Sequence, residues 1–244
     1  MPFTLAHPVV ILPIQKLFKN KLSATGLIIG SIIPDFEYLI NIVERSVISH
    51  TLEGILYFNV PVAVIITFCW HGFVKQILVP QLPSTVQKIF YPHTNANWFL
   101  YLKANIHIYF FSLLVGIFFH LVWDSFSNSN GFFVVNYTFL HHPVFFETLP
   151  LYRISWWAST IIGMYFIWVH LRGLGTKGFS STKNIHKNFW PLVYVLSCAF
   201  LFWEWRPFIK PMEPRYLLVA VTGAALISII IISFILKMKS ILKE

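Results

Sequence analysis

Apolar residues run along this chain in long uncharged blocks, not in the strict alternation of a half-buried strand. Five blocks carry no Asp, Glu, Lys or Arg: residues 54–74, 104–123, 154–171, 188–203 and 216–236. At ~1.5 Å rise per residue, ~20 helical residues cross a ~30 Å hydrocarbon core, so four of these predict membrane-spanning helices and 188–203 is marginal. Two shorter apolar stretches precede them, His7 to Phe18 and Leu22 to Ile33, separated by Lys19-Asn20-Lys21. Each is on the order of 18 Å as a helix, too short to cross alone, and the polar break predicts an antiparallel hairpin. Pro8 suits the first turn of the first helix. The stretch between Lys75 and Ala104, rich in Pro and Asn, reads as a loop. The fold class expected is an all-α polytopic membrane helix bundle with an N-terminal short helical hairpin. Its organisation is a metal-site helical part over 1–150, with the helices of 151–244 packed on it in a single membrane domain.

Composition strengthens this reading. The chain is 57% hydrophobic and 11% charged, with a mean hydropathy of +0.68, against roughly 25% charged in soluble domains. Lys and Arg outnumber Asp and Glu by 18 to 9. The basic residues are scattered through short loops, which fits the orientation of a membrane protein and gives no reason to expect nucleic acid as a partner. Cys69 and Cys198 both fall in apolar blocks, make no metal or redox pattern, and read as small buried residues. Met1-Pro2-Phe3-Thr4-Leu5 lacks a basic n-region and a cleavage site, so the start is expected to be retained.

The chemistry gathers at the end of the second block, in Phe119-His120-Leu121-Val122-Trp123-Asp124-Ser125. Residues four apart share a helix face, so His120 and Asp124 point the same way. Asp35 and Asp124 are the chain's two aspartates. A carboxylate in an apolar protein needs a partner or stays neutral, and a metal ion is the partner expected here. Counting helix directions brings His7, Asp35, His50, His120 and Asp124 to one end of the bundle. The opposite end holds thirteen Lys and Arg and the cluster end five. Positive residues favour the cytoplasm, which predicts a cell (inner) membrane protein with the site on the extracytoplasmic side.

Other polar residues carry less. Glu37, two positions after Asp35, is a candidate catalytic base or a support for the ligands. His141, His142 and Glu147 lie in an aromatic-rich stretch after Ser125, whose composition suits the membrane interface or a lid; they are candidate additions to the metal shell, although their spacing fits no helical face. Glu53 reads as a first-turn carboxylate beside Thr51. His71, His107 and His170 fall toward the opposite end of their blocks. A Ser–His–Asp reading through Ser49 or Ser125 lacks a nucleophile elbow, and there is no phosphate-cradling glycine loop.

The segments Met1-Pro2-Phe3-Thr4-Leu5-Ala6-His7-Pro8, Gly30-Ser31-Ile32-Ile33-Pro34-Asp35-Phe36-Glu37-Tyr38, Ser49-His50-Thr51 and His120-Leu121-Val122-Trp123-Asp124-Ser125 closely resemble an uncharacterised family of small bacterial integral-membrane proteins. The resemblance spans most of the first 150 residues. That family is in turn similar to the membrane-bound metal-dependent hydrolases related to zinc-dependent phospholipase C and the single-strand nucleases of that fold. What the resemblance implies is an all-α enzyme holding zinc at one end of a bundle. His7, Asp35, His50, His120 and Asp124 stand in ligand positions, with Asp35 as the bridging carboxylate. The chain departs from that pattern in having no N-terminal Trp and no clean His-x-x-x-Glu pair around His142 and Glu147, so one or two ions are expected.

Imidazole and carboxylate donors suit zinc, with manganese as an alternative. The expected function is metal-assisted hydrolysis of a phosphoester or lipid-linked phosphate bond by an activated water, with Asp35 and Glu37 as the catalytic carboxylates and the lipid bilayer as the partner. A non-catalytic membrane scaffold with a structural metal, or a transporter with midplane polar residues, are the alternatives.

Overall fold

The computed structural model describes residues 3–18, 21–41, 48–145, 149–174, 186–205 and 214–242. The architecture is the expected all-α polytopic bundle, and the strands among the described residues are the short antiparallel pair β1 (Pro143–Phe145) and β2 (Leu149–Pro150). The helices in order are α1 (Leu12–Phe18), α2 (Ala24–Ile32), α3 (Phe36–Asn41), α4 (Leu52–Gln81), α5 (Ser84–Phe90), α6 (Trp98–Asp124), α7 (Phe132–Asn136), α8 (Leu151–Leu174), α9 (Phe189–Trp205) and α10 (Pro214–Ile241). Within them Leu52–Gln81, Trp98–Asp124, Leu151–Leu174 and Leu217–Ile241 are long and apolar enough to cross a membrane. With 17 residues, α9 reaches about 25 Å, short of a full crossing.

Three expectations are corrected. The stretch between Lys75 and Ala104 is mostly helical: α4 continues to Gln81, α5 follows, and α6 already starts at Trp98. Lys75 breaks nothing because its ammonium is satisfied, donating to the carbonyls of His93 (3.2 Å) and Ala96 (2.9 Å), so the charge can sit inside a helix. Pro8 does not open the first helix. A 3-10 run from Thr4 to Ile11 encloses it, a geometry already poor in hydrogen bonding, in which a missing N–H costs little. Neither cysteine is buried: Cys69 is partly exposed and Cys198 is exposed on α9, so hydrophobic sequence context does not imply burial.

By contacts the chain divides into two units. One comprises Met1–Asp35, Ile48–Ala63 and Leu102–Gly173; the other comprises Phe36–Val47, Val64–Tyr101 and Leu174–Glu244.

The first unit carries all five predicted metal residues, and its organising feature is the seam of α2 with α6. Ser112, Gly116, His120 and Asp124 recur every four residues along one face of α6, while Phe111 and Phe118 on the other side are exposed. On α2 the matching face carries Gly26 and Gly30. A Cβ added at Gly116 would stand 2.5 Å from the Leu27 carbonyl oxygen and 2.9 Å from Gly30 Cα, so the backbones touch. Small residues at four-residue spacing permit this approach in membranes, where dispersion and hydrogen bonds do the work that water does elsewhere. Hydrogen bonds close the seam at both ends: the Ser23 N–H donates to Ser112 Oγ (2.8 Å), and His120 Nδ1 donates to the Ser31 carbonyl (2.8 Å). Ser23 also caps α2, its hydroxyl accepting from the Gly26 N–H. The N-terminal 3-10 run packs on α2, making the hairpin expected from sequence, and Phe3 N–H donates to Thr160 Oγ1 of α8 (3.1 Å).

In the second unit α9 packs along α10. Ile77, Phe189, Val193 and Ile232 form its buried cluster, and the Trp190 indole donates to the Gln81 carbonyl (3.0 Å). Gly223 lets α10 approach the Leu39 carbonyl.

Candidate metal centre

Each predicted residue is delivered by a local device. His7 lies on the N-terminal 3-10 run and Asp35 on the single 3-10 turn that follows α2, just after Pro34. His50 sits in the tight turn before α4. There Thr51 caps the helix, accepting from the Gly54 N–H (3.0 Å), and Gly54 has no Cβ to strike the Ile48 carbonyl. The first turns of α4 then widen into a π-type segment, Ile55–Asn59, a geometry common at functional sites. Its last residue, the buried Asn59, donates to the Ser49 carbonyl (2.7 Å) and so holds the turn that carries His50. His120 and Asp124 come from the last turns of α6.

These residues meet. One donor atom each from Asp35, His50, His120 and Asp124 lies within 4.8 Å of the others. His50 Nε2 is 3.2 Å from Asp124 Oδ2, and His120 Nε2 is 3.4 Å from Asp35 Oδ1 and 3.6 Å from Asp124 Oδ2. Ligands at about 2.0–2.2 Å around a tetrahedral ion stand about 3.3–3.6 Å apart; the His120–Asp35 and His120–Asp124 separations fall in that range, the 3.2 Å His50–Asp124 contact is a hydrogen bond, and the whole set lies within 4.8 Å.

The protons sharpen this. The Ser31 carbonyl can only accept, so His120 Nδ1 carries a hydrogen and Nε2 is the ring atom left to take a proton or a cation. Nε2 is fully buried and faces two carboxylates without a hydrogen bond to either, and both Asp35 oxygens are likewise without hydrogen-bond partners. Two buried carboxylates are costly unless a positive centre lies among them, and a cation held by Nε2 and the carboxylates supplies one, as a proton on Nε2 does in its absence. The Ser49 hydroxyl contacts His50 Nδ1 at 2.9 Å and, able to donate or accept, supports His50 in either tautomer. Both are the outer supports that ligating histidines need. Burial pushes the Asp35 carboxyl up, but the positive charge of a protonated His120, with a smaller part from His7, more than offsets this and holds it below the ordinary carboxylate value.

His7 is adjacent to this quartet rather than within it. Its ring stacks on His120 (4.1 Å between centroids), Nε2 donates to Asp124 Oδ1 (3.0 Å), and Nδ1 stands 3.7 Å from Asp35 Oδ2. Glu37 is buried on α3, in the second unit. His141 and His142 are exposed and outside the quartet, His141 packing against the Tyr152 ring at 5.7 Å, and Glu147 lies outside the described residues. Sequence reasoning missed the supporting roles of Ser31, Ser49 and Asn59: the Ser31 carbonyl contacts His120, the Ser49 hydroxyl contacts His50, and Asn59 acts through the Ser49 carbonyl. It also missed the seam, whose signal, Gly26-x-x-x-Gly30, stands openly in the sequence.

A family model described as a domain of unknown function, DUF4184, matches residues 1–239. The chain belongs to this family. No protein of curated function and no solved structure matches it. Membership accords with the likeness to uncharacterised proteins and brings no activity with it, so the likeness to metal-dependent hydrolases and phospholipase C rests on the motifs alone.

Proposed function

We propose that this DUF4184 protein is a membrane-embedded, metal-dependent hydrolase of phosphoester bonds. The observation that carries the reading is the buried His120 Nε2, without a hydrogen-bond partner and opposed by two aspartates, with His50 closing the set. Asp35, His50, His120 and Asp124 would hold zinc or manganese, with His7 bracing both carboxylates. The bound cation would supply Lewis acidity, activating water near neutral pH and steadying charge on a leaving oxygen. Asp35 and Glu37 are the carboxylates assigned to proton handling. The expected result is phosphodiesterase or phosphomonoesterase turnover by purified protein that is abolished by chelation, restored by zinc or manganese, and absent from the His120→Ala/Asp124→Ala variant. A metal-loaded protein inert toward a broad panel of phosphoesters and lipids contradicts it.

A second reading has one observation in its favour. Three of the four donors are almost completely buried, as in a closed structural site that staples segments together. Metal that resists exchange and supports no turnover would select that reading.

The site is assigned to the extracytoplasmic face of the cell membrane from the lysine and arginine bias. A reporter fused after Glu244 is therefore expected to give a cytoplasmic signal, and an alkaline-phosphatase-type extracytoplasmic signal would reverse the assignment.

A further inference from the structure

Access to the metal centre is one-sided. The side chains of His7, Asp35 and His120 are fully buried and Asp124 nearly so, whereas His50 is 17% exposed. The surface beside that opening is apolar. Ile48 precedes His50 and is exposed, and on the first turns of α4 Leu52 is 85% exposed, Leu56 65% and Tyr57 82%, with one exposed charge, Glu53, among them. Leu52 and Leu56 are four apart and lie along one side of the helix start. In water such a strip beside a polar site would be a liability. Here it is the beginning of a membrane-spanning helix that carries no charge from residue 54 to residue 74, with the exposed Glu53 beside Leu52 on its first turn. The chain that follows the last ligand is similar in character. From Ser125 to Phe146 there is no charged residue, and Phe132, Tyr137 and Phe139 stand exposed immediately after α6 ends at Asp124. The centre is thus placed where two candidate spans begin and end, Leu52–Gln81 starting just after His50 and Trp98–Asp124 ending on its last ligand.

We propose that the substrate is a lipid-borne phosphate that enters laterally from the bilayer past His50, its apolar chain lying along Ile48, Leu52 and Leu56 while its phosphate reaches the metal. This rests on the metal-hydrolase reading above but is tested independently of turnover.

In phospholipid nanodiscs, with Cys69 and Cys198 replaced by serine, Ile48→Cys and His50→Cys are each exposed to two thiol reagents. One is a phospholipid carrying a maleimide headgroup, and the other is a soluble anionic maleimide. Ser84→Cys, at an exposed position on α5, is the reference. Relative to that reference, both positions are expected to favour the lipid-borne reagent by about tenfold or more, the advantage of a reactant confined to the same layer. Labelling by the soluble reagent as fast as at Ser84→Cys overturns lateral entry while leaving the metal centre standing; Ile48→Cys, which spares the ligands, decides the matter if His50→Cys fails to fold. In a second arm, Leu56→Asp is expected to lower hydrolysis of a long-chain lipid phosphate about tenfold relative to a soluble phosphate ester. Equal loss on both substrates argues against the rail, and wild type inactive on both counts against the hydrolase reading, not against the labelling result.

Discussion

Asp124→Ala is expected to empty the metal site. Asp124 is the one residue in contact with all three histidines: Oδ1 with His7, and Oδ2 with His50 and His120. Its removal takes away a ligand and leaves buried imidazoles without their acceptor, a class of change that costs about 3–5 kcal/mol when a buried pair is broken. Metal content should fall from near one equivalent or more per chain to below roughly a tenth, since binding energy and local folding are coupled at such sites. Asp124→Asn, which keeps the volume and one oxygen, should retain the fold in detergent while still losing most of the metal. His142→Ala, at an exposed position outside the quartet, should change neither. Elemental analysis of the three proteins after identical metal-replete purification checks the ordering, and equal metal in Asp124→Ala and wild type would contradict it.

The second large effect is expected far from any donor. Gly116→Val places a branched side chain where the Leu27 carbonyl and Gly30 Cα already stand within 2.5 and 2.9 Å of an added Cβ. The obstacles are backbone atoms, which cannot swing aside as a flexible side chain would, so α2 and α6 must separate. Overpacking usually costs 1–3 kcal/mol, and this case belongs at or above about 3. Separation also draws the Ser31 carbonyl away from His120 and moves Asp35 relative to Asp124. The expectation is a midpoint of thermal unfolding in detergent lower by on the order of 10 °C, together with metal loss although every ligand is intact. A variant with unchanged midpoint and full metal would show that the seam does not position the site.

The outline of the site was legible because it depends on quantities that sequence displays directly. Charge-free blocks give helix lengths, alternation of direction gives the end at which each residue arrives, and the four-residue repeat puts His120 and Asp124 on one face. The missed features depend on partners that only tertiary structure brings. Lys75 looked like a helix terminus because a free ammonium cannot stay in an apolar helix; nothing local says that the carbonyls of His93 and Ala96 fold back to receive it. His7 reads as a ligand equal to the others; that it stacks on His120 and reaches both carboxylates depends on how the N-terminal 3-10 run packs on α2, which no local pattern shows. Pro8 was placed at a first turn from α-helical preferences, and the chain adopts a 3-10 run there instead.

The central claim is that a cation belongs among Asp35, His50, His120 and Asp124. Its most direct test is the metal content of wild-type protein, purified under metal-replete conditions, passed through a desalting column and measured by inductively coupled plasma mass spectrometry against protein concentration. The account predicts one or two equivalents of zinc or manganese per chain. Protein that is folded, monodisperse and metal-free would contradict it.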